Sequence, residues 1–210
     1  MANVIGPFGF AQVGTASGMP NFAQGHNPPY RIASTYATPI FFGDAVRYWI
    51  TGDTGTSSAG YIIRWTTGDG SATKQLVGIF LGCSYYSTSQ RKMVWSNYWP
   101  GADATGDVNA FICDDPNSEW KVQSGAGVTN GPGTQGFGVD IAATPSGNTV
   151  TGISGMAITT AAAASAATLP FKIVSMVTTP PTSNGTDSAS AGNYVIVSFN
   201  NQIYKTQTGV

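Results

Sequence analysis

A long uncharged run, QLVGIFLGCSYY (residues 75–86), lies near the middle of this chain. Its aliphatic and aromatic residues favour a strand over a helix. Gly78 and Gly82 interrupt the run, and a glycine inside a strand is typical of a bulge or a bend in a curved sheet. The run therefore predicts a long, bent central strand.

Further strand signals recur on both sides of this run, separated by turn residues. The two clearest are residues 171–178 and 194–199, which are β-branched and bounded by Pro, Gly or Asn. The other predicted strands are residues 30–36, 40–42, 45–51, 61–67, 93–95, 108–113, 120–123, 138–141, 150–158 and 203–204. The pattern predicts a sheet-rich domain.

Residues that normally fill helices are scarce. Glu119 is the only Glu, and the chain of 210 residues has three Leu but 27 Gly. The alanine-rich stretch 159–168 is either a polar linker or a helix of one or two turns, because it is too short to be a stable helix alone. The sequence predicts an all-β fold, a sandwich or a barrel-like domain with long loops.

Charged side chains make up only 9% of the chain, against about 25% in a typical globular domain. The formal net charge is −1, and Arg91 and Lys92 are the only adjacent basic residues. No basic stripe is present that would neutralise a phosphate backbone or an anionic membrane. The composition predicts neither a nucleic-acid partner nor a membrane partner, and it argues against an enzyme, which needs clustered titratable groups.

The densest acidic group consists of Asp114, Asp115 and Glu119. These carboxylates have the chemistry of a Ca²⁺ site or of a glycosidase acid/base pair. The order Asp-Asp-Pro-Asn-Ser is also typical of an Asx turn between strands, and this interpretation is preferred. We therefore predict no metal and no catalytic residue here.

Other candidate motifs are also interpreted as structural. GPGTQG (residues 131–136) matches the dinucleotide fingerprint in letters, but no helix start follows it, so a glycine-rich loop is predicted and no cofactor. Cys83 and Cys113 lie in apolar stretches and are predicted to be buried thiols. His26 is the only histidine, which leaves a zinc site or a catalytic triad without partners.

The N-terminal residues 1–29 contain no charged side chain and mix apolar residues with Pro and Gly. Such a segment needs an apolar surface to cover it, so it either wraps its own domain or lies across a neighbouring subunit. We therefore divide the chain into an extended N-terminal arm (residues 1–29) and a β-rich domain (residues 30–210). The start also lacks the positive region and unbroken apolar stretch of a signal peptide, which predicts synthesis in the cytoplasm.

Several segments, in the same order along the chain, resemble the capsid cement or decoration proteins of tailed bacteriophages. They are NVIGPFGFAQV (3–13), PIFFGDAV (39–46), QLVGIFLGCSYY (75–86), DDP (114–116) followed by WKVQ (120–123), LPFKIV (169–174) and the ending at 194–204. The resemblance implies a β-rich virion protein on the outer surface of the capsid, made in the host cytoplasm. Its implied partners are the major capsid protein and copies of itself.

The arm is the predicted clamp on the shell or on a neighbouring subunit, because it would add mainly apolar contact area. Its predicted interface residues are Val4, Ile5, Pro7, Phe8, Phe10 and Val13. Deleting residues 1–10 is then expected to weaken attachment while leaving the domain folded.

The alternative function is a carbohydrate-binding β-domain for adhesion to a host surface. Trp95, Trp99 and Trp120 would stack on sugar rings, and the cluster WSNYW (residues 95–99) is the one expected at the surface. Aromatic residues also fill the cores of β-proteins that have few leucines, and packing is the preferred interpretation.

Overall fold

The computed structural model describes residues 3–16, 29–50, 53, 60–71, 73–142, 147–163, 167–178 and 189–205. Within these residues the secondary structure is almost entirely β, with a single 3₁₀ turn at Pro132–Thr134. The strands are β1 (Ala11–Thr15), β2 (Tyr30–Ile32), β3 (Ala45–Tyr48), β4 (Ile62–Arg64), β5 (Leu76–Ser87), β6 (Lys92–Ser96), β7 (Val108–Cys113), β8 (Ser118–Gln123), β9 (Gly138–Val139), β10 (Phe171–Met176) and β11 (Tyr194–Phe199).

The strands form two antiparallel sheets that pack together as a sandwich. The first sheet has the order β1-β8-β11-β10-β9. The second has the order β2-β7-β5-β3-β4, and β6 pairs with the far half of β5. The predicted all-β fold is confirmed, and of the two architectures it is the sandwich.

The central strand β5 is buried on both of its faces. Leu76 belongs to the core between the two sheets, whereas its neighbour Val77 belongs to a second core that includes Ile40 and Trp99. Successive side chains of a strand point to opposite faces. A strand covered on both sides therefore reads as a continuous apolar run rather than an alternating one, which explains the sequence of residues 75–86.

The structure explains why glycine occupies both positions in β5. A Cβ at Gly78 would clash with the carbonyl oxygen of Cys113 on β7, so the two backbones approach closely there. Gly82 has φ +143° and lies at a register shift in the pairing of β5 with β7. The predicted bulge in the central strand is therefore present.

Several strand predictions need correction. Residues 150–158 form a turn and isolated bridges rather than a strand, and residues 203–204 form a turn. The described part of 159–168 contains no helix, because Ala161 N donates to Asn130 Oδ1 and Ala162 bridges to Gly138 instead. Strand β1 lies within the predicted extended arm, where no strand is predicted.

Strand β1 lies within the predicted arm and is bonded to the predicted domain. It pairs with β8 at the edge of the first sheet, so residues 11–15 belong to the sandwich. The proline and glycine residues around β1 hide its alternation in the sequence. Residues 17–28, including His26, lie outside the described residues.

Candidate functional site

Residues 3–10, here called the strap, are hydrogen-bonded to the domain, and three of the bonds around the strap converge on the buried side chain of Gln123. Gln123 Nε2 donates to the carbonyl oxygens of Val4 and Gly192, at 2.7 and 2.8 Å, and its Oε1 accepts from Gly6 N at 2.9 Å. Further along, Phe10 N donates to Gly43 O at 3.0 Å. The described part of the predicted arm therefore wraps its own domain.

The predicted interface residue Phe10 is an internal core residue. It is 1% exposed and stacks on Phe171 of β10, with ring centroids 4.3 Å apart and an interplanar angle of 18°. Its assignment to a docking surface is wrong, because an aromatic ring sealed between two sheets cannot contact another molecule. Deleting residues 1–10 would remove this ring from the core, so we expect the deletion to lower the stability of the domain as well as its attachment.

The other predicted interface residues retain some exposure. Val4 is 62% exposed, and Ile5 and Val13 are each 45% exposed. Pro7 and Phe8 are half-buried. The strap therefore presents a narrow apolar strip.

Phe8 is partly covered by its neighbours in the domain. Its ring meets Tyr194 edge-on at 5.6 Å, and Lys121 Nζ lies 5.6 Å from its centroid. A cation over an aromatic face is an attractive contact, and it also covers the ring. The accessible part of the strip is Val4 and Ile5.

A second apolar surface lies on β5, β6 and β7. Its members are Tyr86, Met93, Trp95 and Phe111, here called the hairpin surface. Tyr86 pairs directly with Met93, and Ser84, two residues before Tyr86, pairs with Trp95. Since residues two apart share a face of a strand, these side chains project to one side of the sheet.

Trp95 is the most exposed aromatic residue of the hairpin surface. It is 74% exposed, while Met93 is 54% and Tyr86 is 45% exposed. Its ring stacks on that of Phe111, which lies on β7 on the other side of β5. The ring centroids are 5.6 Å apart and the interplanar angle is 6°. The stack holds the exposed Trp95 ring against a neighbouring strand of the sheet.

Asp103 fixes the turn between β5 and β6. Its carboxylate accepts hydrogen bonds from Ser87 Oγ at 2.7 Å, Thr88 Oγ1 at 2.9 Å and Ser89 N at 3.0 Å. The hydrogen bond from Ser87 is the main cause that lowers the pKa of Asp103 to about 2. The turn is therefore held by an ionised group at neutral pH, which keeps the hairpin surface rigid.

The tryptophans predicted to bind sugars do not share a surface. Trp95 is exposed, but Trp99 is 0% and Trp120 is 1% exposed. Trp99 also donates its indole N–H to Tyr36 O at 3.0 Å. The predicted exposure of residues 95–99 therefore holds for Trp95 and is wrong for Trp99.

The acidic group forms a turn. Asp115 Oδ1 accepts from Asn117 N at 3.0 Å, which is an Asx turn, and Asp114 Oδ2 accepts from Tyr30 Oη at 2.7 Å. Glu119 lies on β8. Among the described residues, no group of three His, Cys, Asp or Glu side chains could hold a metal ion.

The thiols and the glycine-rich loop agree with their structural interpretations. Cys83 and Cys113 are free and buried, and burial raises the pKa of Cys83 to about 12. In the loop, the 3₁₀ turn Pro132–Thr134 leads into β9. A strand therefore stands where a dinucleotide site would need the start of a helix.

The chain has no match among protein-family models, curated proteins or solved structures. In the described ranges, none of the helical structure has the length and apolar character needed to cross a bilayer. The fold and the two apolar surfaces are therefore the basis for an assignment.

Proposed function

We propose that this chain is a virion structural protein of a tailed bacteriophage, a capsid cement protein that binds the outside of the head. In this role it bridges neighbouring major capsid subunits and acts without catalysis. The ordered sequence resemblance described above supports the proposal. So does the construction of the domain, a charge-poor sandwich that presents Met93 and Trp95 to solvent on β6.

The observation that carries the proposal is the hairpin surface. Trp95 and Met93 are both more than half exposed on β6, and Trp95 is already stacked on Phe111 of β7. Aromatic and Met side chains are enriched at protein interfaces. A rigid apolar surface loses little conformational entropy on docking, and burying it contributes about 25 cal/mol per Å².

Repetition would amplify a modest contact of this kind. A cement protein occupies many equivalent positions on an icosahedral shell, and linked contacts give an avidity that exceeds each single affinity. The strap residues Val4 and Ile5 offer a second, smaller apolar contact on the same chain. With few charges available for screening, docking through these surfaces should depend weakly on salt.

The test mixes purified chain with phage heads that lack it and measures co-sedimentation. We expect the double variant Met93→Ser with Trp95→Ser to bind at least about tenfold more weakly. Val4→Ser should give a smaller loss. The matched control is Val150→Ser, which removes a 92% exposed apolar side chain from a turn outside both surfaces.

Two results would contradict the proposal. One is the absence of this polypeptide from purified virions when they are analysed by mass spectrometry. The other is undiminished binding of the double variant with its fold intact by circular dichroism. Release of the bound protein by moderate salt would instead indicate ionic docking and would contradict the apolar mechanism.

A carbohydrate-binding role is the second candidate, and the exposed stack of Trp95 on Phe111 favours it. Aromatic faces of this kind pack against the apolar faces of sugar rings. A glycan-binding screen separates the two functions: a glycan bound by the protein and lost in Trp95→Ala would support adhesion. Trp99 is unsuitable for this test because its side chain is buried.

A further inference from the structure

Strand β6 (Lys92–Ser96) lies at an edge of the second sheet. Among the described residues β5 is the strand that pairs with it, and no isolated bridge reaches residues 92–96. Every residue of β6 is exposed or half-buried. The side of β6 that faces away from β5 is therefore open to solvent.

The backbone of β5 shows which of its residues face β6. Ser87 O accepts a hydrogen bond from Arg91 N at 2.9 Å, in the turn that leads into β6. Tyr86 O accepts one from Thr105 N at 3.0 Å, in the segment that leads to β7. Successive residues of a strand direct their N–H and C=O groups to opposite sides, so Ser87 faces β6 and Tyr86 faces the side of β7.

The same alternation determines which residues of β6 face the open edge. Tyr85, two residues before Ser87, also faces β6, and it pairs with Val94. Val94 therefore directs its N–H and C=O groups to β5, and its neighbours Met93 and Trp95 direct theirs to the open edge. The most exposed apolar side chains of β6 thus belong to the residues with outward-facing backbone groups.

Strand β6 lacks the features that commonly protect an edge strand, which are proline, a bulge, inward charges or a covering segment. It has no proline, its pairing with β5 runs without a register shift, and its only charge is Lys92 at the first position. Two other edges are covered. Tyr36 Oη accepts a hydrogen bond from Arg64 N at 3.1 Å beside β4, and Ala162 bridges to Gly138 of β9.

We propose that β6 pairs antiparallel with β6 of a second copy of this chain, about a twofold axis at Val94. The second sheets of the two copies then form one continuous sheet. In this register Met93 lies opposite the second copy's Trp95, and Trp95 lies opposite its Met93. Because these residues carry the outward-facing groups, each pair exchanges both of its backbone hydrogen bonds. Strand addition at an open sheet edge is a recurring mode of protein association.

The register is self-complementary, as a twofold interface requires. The Met93 thioether lies beside the second copy's Trp95 ring, and sulfur and aromatic rings attract each other. Lys92 lies opposite the second copy's Ser96, so no like charges face each other. The two Lys92 residues are four positions apart, or about 14 Å along the strands. That separation exceeds the Debye length of about 8 Å at physiological ionic strength.

Other registers pair less of the strand. An axis at Trp95 places the two indoles opposite each other and leaves Met93 opposite Asn97, which lies beyond β6. An axis at Met93 places Trp95 opposite Arg91, which has φ +52° and belongs to the turn. The axis at Val94 overlaps all of β6 with its copy and pairs both outward-facing residues.

The pairing uses the edge of the sheet and leaves its faces accessible. Water solvates the outward-facing groups of the separate chain, and the second copy replaces that water. Because the twofold axis is perpendicular to the sheet, the hairpin surfaces of the two copies face the same way and form one larger apolar area. The inference does not rest on the proposed role in the capsid, and its test uses the purified chain alone.

Sedimentation equilibrium of the full chain tests the association. We expect half of the chain to be dimeric at a concentration below about 100 µM. Met93→Pro removes an outward-facing N–H but no bond to β5, so it should weaken association at least about tenfold. Met93→Ala is the matched control, because it shortens the same side chain but keeps the N–H, and it should lose less affinity. Circular dichroism checks that both variants are folded.

Disulfide trapping of the full chain tests the register. Val94 lies opposite its own copy in a non-hydrogen-bonded pair, where Cα atoms are about 4.5 Å apart, within the range of a disulfide. Val94→Cys should therefore give a covalent dimer under mild oxidation, seen on a non-reducing gel. Lys92→Cys alone should not, whereas Lys92→Cys combined with Ser96→Cys should. The wild type, whose Cys83 and Cys113 are buried, gives the background.

Three results would overturn the assignment. The first is a chain that stays monomeric at about 1 mM. The second is equal association of the wild type and Met93→Pro. The third is trapping of Lys92→Cys as efficient as that of Val94→Cys, and the trapping result decides if Met93→Pro does not fold. A monomeric chain that loses attachment to phage heads in Met93→Pro, but not in Met93→Ala, would assign the edge to a strand of the capsid protein instead.

Discussion

The strap (residues 3–10) and the hairpin surface differ in what their aromatic rings do. Both segments are rich in apolar residues. In the strap, Phe10 is 1% exposed and seals the core between the sheets. On the hairpin surface, Trp95 is 74% exposed and stacks on a neighbouring strand. Apolar residues therefore stabilise the core in one segment and form an accessible surface in the other.

The difference arises from what covers each segment. The second sheet and the loop around Gly43 close over the end of the strap, where Phe10 N donates to Gly43 O. The hairpin of β5 and β6 extends beyond the part of β5 that pairs with β3. An apolar residue is buried when the topology supplies a partner, and its hydrophobicity alone does not ensure that.

Replacing Phe10 by Ala should give the largest effect. Truncation of a buried Phe costs about 3–5 kcal/mol, and here it also removes the stack on Phe171. Urea unfolding followed by fluorescence measures the loss. Phe8→Ala is the matched control from the same segment and should cost less than half as much, since Phe8 is half-buried. Equal losses would show that the two rings are not differently covered.

The stability of the fold where the strap ends, beside Gly43, should depend on pH through the buried carboxyl of Asp44. This carboxyl is 2% exposed, and burial raises its pKa to about 6, although hydrogen bonds from Phe41 N and Ser154 Oγ oppose the shift. Because the folded-state pKa is above the unfolded value of about 3.9, its contribution to stability is greatest below pH 4. That contribution is lost as the pH rises to about 6.

The measurement compares the free energy of unfolding of the wild type with that of Asp44→Asn across this range. The difference should change by up to about 3 kcal/mol in favour of the variant as the pH rises from about 4 to 6. The comparison cancels the opposite trend of Asp53. Burial alone would raise the pKa of Asp53, but hydrogen bonds from Arg47 lower it to about 2. A pH-independent difference would contradict the assignment to Asp44.

Replacing Gln123 by Ala should release the start of the strap, residues 3–6, without opening the core around Phe10. The variant leaves Val4 O, Gly6 N and Gly192 O without their partner, and because water replaces that partner once the strap is released, each lost bond has a net cost of about 0.5–1.5 kcal/mol. Amide hydrogen exchange at Gly6 should accelerate strongly. Gln90→Ala, at an exposed turn position, is the control. Retained protection at Gly6 would show that other contacts hold the strap.

Replacing Trp95 by Ser should have the smallest effect on folding. The side chain is largely in solvent, so the cost is mainly the stack on Phe111, and such pairs contribute about 0.5–1.5 kcal/mol. Thermal unfolding of the purified variant tests this expectation. A loss as large as that of Phe10→Ala would mean that Trp95 supports the core, and the hairpin surface would then not be free for docking.

Part of the fold is readable in the residue pattern because strands leave local signals. Residues 108–113 and 194–199 alternate or run apolar between turn residues, and both are strands with the expected bounds. Residues 150–158 carry a similar pattern and form a turn with isolated bridges. Local propensity cannot distinguish a strand from an apolar loop that is pinned by backbone bonds to distant residues.

The candidate surfaces were harder to predict. Trp95 and Trp99 are four residues apart and have the same chemistry, yet their exposures are 74% and 0%. The open edge of β6 left no signal in the sequence, because residues 93–95 have the pattern of a strand whether or not a second strand covers them. Both features depend on long-range pairing, which a list of residue types does not contain.

The sequence by itself determined the all-β class, the bulged central strand and the scarcity of charge, because these follow from side-chain shape and ionisation at each position. The tertiary structure decided which aromatic rings are sealed and which face solvent. It also made the strap part of the sandwich through Gln123. The physical reason is that burial belongs to pairs of surfaces, and those pairs exist only after distant strands have met.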